Sequence, residues 1–306
     1  MPSKVRKFTT QEILDALANA EEGAYPAAAV AAVGGRRREL TPHFRRAIDL
    51  VFTLAADCKL QDEGDWRLAN FGLYFLSEWR VPGTYELLMK VLELDYCDRR
   101  WLIDDAIYSE WPDLLLTTFP RRAQEVKRLQ SIVLDSDVHE DVRGCALCTL
   151  GALVHYGIAD RDRIVRWMEW LYECDLSTPM GFVIDELLVQ SASLKEPALM
   201  KRIRALYATD WKDDPAFSLK DIEGIARKPW PRGHTAYNNV ANPVTSAASL
   251  IRRWEHFLPV DLEARAMIER VVGPGVPYGR AGIIIGDPDP LCLCGSGRRQ
   301  RHCCGD

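Results

Sequence analysis

Four cysteines lie within the last fifteen residues: Cys292, Cys294, Cys303 and Cys304. Their spacing is Cys-X-Cys, eight residues, then Cys-Cys. Thiolates are soft ligands, and zinc takes four ligands in a tetrahedron with sulfur at about 2.3 Å. Two close pairs joined by a short loop can supply that geometry. Gly295 and Gly297 let the chain turn tightly after the first pair. A segment this short cannot build a core of its own, so metal binding has to provide its folding free energy. His302 neighbours Cys303 and is a rival ligand to Cys304. Four thiolates around a divalent ion leave a charge of −2, against +3 from Arg298, Arg299 and Arg301. The knuckle is therefore mildly basic. Arginine forks suit carboxylates or phosphates, on an acidic protein face or an RNA backbone.

Other chemistry-bearing residues read as structural. Cys58, Cys97, Cys145, Cys148 and Cys174 are scattered through apolar helical stretches. Cys145 and Cys148 form a C-x-x-C inside a helix, not at a strand-to-helix turn, and read as buried small residues. His155 stands seven residues beyond Cys148, about 10.5 Å of helical rise, too far to share a metal with it. Asp104-Asp105, Asp185-Glu186 and Glu110 read as helix caps or solvated faces. His139-Glu140 lacks the second histidine of a zinc-protease helix. The glycine-rich run at 273–279 has no Lys-Ser/Thr to make a phosphate loop. Trp230, His234 and Tyr237 sit in a long irregular stretch, about 210–243, and are candidates for lining a recognition groove.

The elements that must carry these residues are helical. Thr9 to Glu12 forms a capping box before Ile13, Leu14 and Leu17. An alanine-rich helix over 25–33 stops at Gly34-Gly35, and Thr41-Pro42 opens the next, running to about Cys58. From Asp65 the chain falls into four helix pairs: 65–80 with 84–95, 98–110 with 121–134, 138–155 with 160–173, and 179–192 with 195–208. Starts spaced by roughly 33 to 41 residues are the signature of HEAT or armadillo-like solenoids. A short helix near 219–226 and two more at 244–256 and 260–272 complete the reading. The expected fold is all-α, an irregular helical-pair solenoid over 1–272, a Gly/Pro-rich linker over 273–290 and the zinc knuckle over 291–306. One β-like run, Ala281 to Gly286, falls in the linker.

The tail resembles the SEC-C motif, named after the tail of the SecA translocase ATPase. The likeness rests on the Asp287-Pro288-Asp289-Pro290 lead, Cys292 and Cys294, Gly295-Ser296-Gly297, Arg298-Arg299 and Cys303-Cys304. It departs from the pattern at Leu291 and Leu293, where small residues or proline are usual. The resemblance implies one structural Zn²⁺, a place outside the site for His302, and contact with partners such as chaperones or ribosomes. The segment from about Trp66 to Leu171 is similar to a bacterial family of uncharacterised helical proteins that often carry such a tail. Leu73 to Arg80 and Val142 to Leu147 carry that likeness.

An apolar content of 47% and a charged content of 27% over 306 residues exclude a wholly disordered chain. A formal net charge of −5 argues against general nucleic-acid affinity, leaving only local basic patches for it. The sequence has neither a membrane span nor a hydrophobic leader after its basic first residues. The reading is a cytoplasmic binding scaffold, not an enzyme, with a protein partner contacted by body and knuckle. A nucleic-acid- or ribosome-associated factor, using Arg36-Arg37-Arg38 and the knuckle arginines, is the alternative.

Overall fold

The computed structural model describes residues 8–21, 24–57, 59–60, 66–174, 176, 181–209, 216–229 and 240–254. Among these residues every regular element is helical. The first six helices are α1 (Thr10–Ala18), α2 (Ala27–Val33), α3 (Arg37–Ala56), α4 (Trp66–Glu78), α5 (Thr84–Leu92) and α6 (Tyr96–Ile103). After a 3₁₀ turn over Asp104–Ile107 come α7 (Trp111–Thr118), α8 (Ala123–Leu134), α9 (Glu140–His155) and α10 (Arg161–Leu171). The last four are α11 (Phe182–Leu194), α12 (Pro197–Tyr207), α13 (Leu219–Arg227) and α14 (Ala247–Ile251). The chain divides into two compact units: Met1–Asp105 with Thr245–Asp306, and Ala106–Val244.

In the first unit the predicted capping box is present. Thr9 accepts the Glu12 N–H, and Glu12 accepts the Thr9 N–H at 2.8 Å. Helix α3 starts at Arg37, not at Thr41-Pro42, and carries Pro42 inside it. The extra turn is held because Arg36 reaches Thr10 Oγ1 at 3.2 Å, the Phe8 carbonyl and Glu39, and because Leu40 is fully buried. Pro42 is the sixth residue of the helix, past its first turn, and removes the N–H that would bond the Arg38 carbonyl, so these tertiary contacts hold the first turn despite that loss. Helices α3 and α4 cross closely. Phe44 stacks on Phe75 at 6.0 Å. A Cβ on Gly72 would lie 2.9 Å from Phe44 Cβ, so the contact requires a glycine. Asn70 ties α4 to α6 by donating to the Leu102 carbonyl at 3.0 Å.

The chain returns to this unit at its far end. Glu78 accepts the Ala247 N–H at 3.1 Å, and Tyr25 donates to the Ala248 carbonyl at 3.2 Å. Trp254 packs on Phe71 and Tyr74, with ring centroids 5.0 Å from each. Helix α14 is shorter than the expected 244–256: Pro243 and the Ser246 N-cap delay its start.

The helix expected over 98–110 is split, with α6 in the first unit and α7 in the second. Helix α6 ends at Ile103, and α7, in a stretch expected to be a connection, begins at Trp111 with Pro112 in its first turn. Helix α9 is buried on all sides from Glu140 to Val154. It lies against α11 at two glycines one heptad apart. A Cβ on Gly144 would lie 2.4 Å from the Phe182 ring, and one on Gly151 would lie 2.1 Å from Gln190 Oε1. Since 144 meets 182 and 151 meets 190, α9 and α11 run parallel. Helices α10 and α12 show the same register: Arg161 bonds the Leu194 carbonyl at 2.6 Å and Glu196 at 3.3 Å, and Arg202 pairs with Glu173 at 2.7 Å. Two helical hairpins, α9–α10 and α11–α12, thus lie side by side with like elements adjacent. Helices α11, α12 and α13 enclose a core of Leu188, Val189, Met200, Ile203 and Ile222.

Candidate functional site

The predicted metal ligands Cys292, Cys294, Cys303 and Cys304, the rival His302, and Arg298, Arg299 and Arg301 lie outside the described residues. So do Trp230, His234, Tyr237, the linker with its β-like run, the helix at 260–272, Cys58 and the side chains of Asp104 and Asp105. Among the described residues no group of three or more His, Cys, Asp or Glu is placed to hold a metal.

The richest assembly of chemical groups is buried in the second unit. Helix α7 contributes Asp113 and Thr117, α9 contributes Cys145 and Cys148, and α11 contributes Glu186 and Gln190. All six are less than a tenth exposed. Gln190 Nε2 donates to Glu186 Oε1 at 2.7 Å across one helical turn. Residues 240–244, which form neither helix nor strand, enter this cluster. Asp113 Oδ1 accepts the Asn242 N–H at 2.6 Å, and Thr117 Oγ1 accepts the Val244 N–H at 2.7 Å. Tyr156, at the end of α9, donates to Asn242 Oδ1 at 2.7 Å.

Electrostatics make the Cys148 thiol inert. Burial pushes its pKa well up, and Glu186, Cys145 and Asp113 raise it further, while the Ala241 backbone N–H opposes them. A thiol held protonated is a poor nucleophile and a poor metal ligand. The C-x-x-C thus sits where the sequence reading put it, inside a helix and buried.

Of the carboxylates read as helix caps or solvated faces, Glu110 is the N-cap residue of α7, whereas Asp185 and Glu186 are a correction, since both are buried within α11. All three, with Glu140, fasten backbone or neighbouring side chains, Glu186 through the Gln190 amide. Asp185 accepts the Ala216 N–H at 3.2 Å, Glu140 the Phe182 N–H at 3.2 Å, and Glu110 the Ser109 hydroxyl at 2.8 Å. His139 is the N-cap of α9, its Nδ1 accepting the Asp141 N–H at 3.3 Å. Arg36, offered as a nucleic-acid contact, is engaged within the chain by Thr10, Phe8 and Glu39. Trp101 and Trp170 are 44% and 47% exposed, whereas Trp111 is fully buried. Sequence reasoning missed Asp113, Thr117 and Asn242. Their i, i+4 and i, i+2 spacings are too common to signal anything alone.

Fold and cluster together define an all-α protein whose inward-facing carboxylates anchor backbone N–H groups. The chain belongs to the family described as protein of unknown function, DUF1186, whose model matches residues 8–228. No curated protein and no solved structure matches the chain. No described helix is long and apolar enough to cross a membrane.

Proposed function

We propose that this protein is a zinc-bearing adaptor of a reducing, cytoplasmic compartment. The helical body is a HEAT-like stack offering a surface to a protein partner, and a SEC-C-like knuckle at 291–306 is a second contact. One observation carries the reading: four cysteines in a Cys-X-Cys, eight-residue, Cys-Cys array, with Gly-Ser-Gly and three arginines between the pairs. A four-thiolate donor set fits a closed structural Zn²⁺ site, which leaves no position open for substrate. Cys292, Cys294, Cys303 and Cys304 would hold the ion, which would give the tail a fixed shape on which Arg298, Arg299 and Arg301 are displayed. Parallel registration of the α9–α10 and α11–α12 hairpins supports the stacked-pair reading of the body. Two modest contacts joined by a linker reinforce each other through effective concentration.

Elemental analysis of the purified full chain tests the metal: one zinc per chain is expected, falling to none in Cys294→Ser. Cys304→Ser against His302→Ala identifies the fourth ligand. A capture experiment with and without residues 291–306 tests the adaptor role. Purification of the intact chain without metal, or an unchanged partner set after the deletion, overturns the reading.

The three arginines also favour a second reading, an RNA- or ribosome-associated factor. Binding through phosphates must weaken steeply with salt. Absence of RNA binding at low salt removes this alternative.

A further inference from the structure

We propose that the α7–α9 face of the second unit is a receptor for an extended peptide backbone, which the chain fills with its own residues Val240–Val244 as a releasable strap. The proposal is independent of the zinc reading.

The geometry is that of peptide recognition by side chains. Asp113 and Thr117 are one turn apart on α7, about 6 Å along the helix. Their partners, the N–H groups of Asn242 and Val244, are two residues apart, about 6.6 Å in an extended chain. The two spacings match, so both bonds form at once, at 2.6 and 2.7 Å. Pro243 lies between these donors and has no N–H of its own to satisfy. It also biases Asn242 toward extended backbone. Alternate N–H groups of such a chain point to opposite sides, and the Ala241 main chain accordingly faces Cys148 on α9. Tyr156 reads the one polar side chain of the strap by donating to Asn242 Oδ1 at 2.7 Å. Val240, Ala241 and Val244 are buried.

Three further facts set the strap apart from the core around it. It has no helical or strand hydrogen bonds of its own, only those that side chains provide. Its receptor residues all fall within the family-matched 8–228, whereas the strap lies beyond that match. Opening the strap removes the two main-chain N–H bonds it gives to buried Asp113 and Thr117, and a peptide of the same pattern restores both. The occupant the site selects is a segment of the pattern apolar-small-Asn-Pro-apolar, the strap's own sequence.

Hydrogen exchange on the full chain, followed by mass spectrometry, gives the first test. Strap amides should exchange by local opening, at least tenfold faster than those of α9 and with little denaturant dependence. A fluorescein-labelled peptide of residues 238–246 gives the second. Asn242→Pro and Val244→Pro each delete one strap N–H, and both variants should bind the added peptide at least tenfold more tightly than wild type does. Adding Thr117→Val to Asn242→Pro should abolish that gain. Strap amides that exchange only in step with α9 overturn the proposal, as does a peptide that binds the proline variants no better than wild type. The exchange test on wild type stands even if a proline variant fails to fold.

Discussion

At the scale of single residues, glycines decide how closely helices approach. Gly144 and Gly151 mark where α9 lies against α11, and a methyl at either meets Phe182 or Gln190 well inside contact distance. Phe182 cannot swing away freely, because its ring packs edge-on against Tyr108 at 4.8 Å. Gly144→Ala is therefore expected to cost about 1–3 kcal/mol through overpacking. A methyl added at Gly224, in α13, would enter open space. Gly224→Ala should stabilise by about 0.5–1 kcal/mol, the helix-propensity gain. Urea midpoints at constant m-value read both, and opposite signs are the expected outcome. Asp98 gives a pH-dependent counterpart. Burial, then the nearby Asp95, raises its pKa to about 6. A carboxyl with a folded pKa above its unfolded value stabilises fully at low pH, and that stability is lost as pH rises from about 4 to about 6. Asp98→Asn keeps a donor toward Asp95 without the charge. Its stability should fall less than the wild type's across that window in pH-dependent urea titrations.

At the scale of elements, caps and hydrophobic spacing made most helices legible. The Thr9–Glu12 box, the paired helices at 66–78 and 84–92, and both hairpins of the second unit sit within a few residues of where periodicity puts them. Failures have physical causes. Helix α7 hides because Trp111-Pro112 reads as a break, although proline suits a first turn. Helix α3 runs ahead of Thr41-Pro42 because tertiary contacts from Arg36 and Leu40 outweigh the local start signal. Burial of Glu110, Asp185 and Glu186 was illegible because burial depends on tertiary neighbours far along the chain, such as Ala216 for Asp185. The anchor cluster of Asp113, Thr117 and Asn242 was illegible for the same reason: its two halves are more than a hundred residues apart. Capping can be checked directly. Ser218 and Asp221 form the box that starts α13, and Ser218→Ala should cost about 1 kcal/mol in the urea midpoint.

At the scale of the whole molecule, the first unit is built from two distant stretches of chain, 1–105 and 245–306, with the second unit inserted between them in sequence. A chain ended at residue 228, the edge of the family match, lacks the Ala247 and Trp254 contacts of the first unit. It should unfold at lower urea than the full chain, and Trp254→Ala alone should cost roughly 2 kcal/mol, less than a fully buried tryptophan would. The split also orders events during synthesis. Helix α4 leaves the ribosome well over a hundred residues before Trp254, which packs on Phe71 and Tyr74, is made. At about 5–20 residues per second, translation leaves those two rings without Trp254 for roughly ten to forty seconds. That interval gives the inserted unit time to fold before Trp254 closes the first unit.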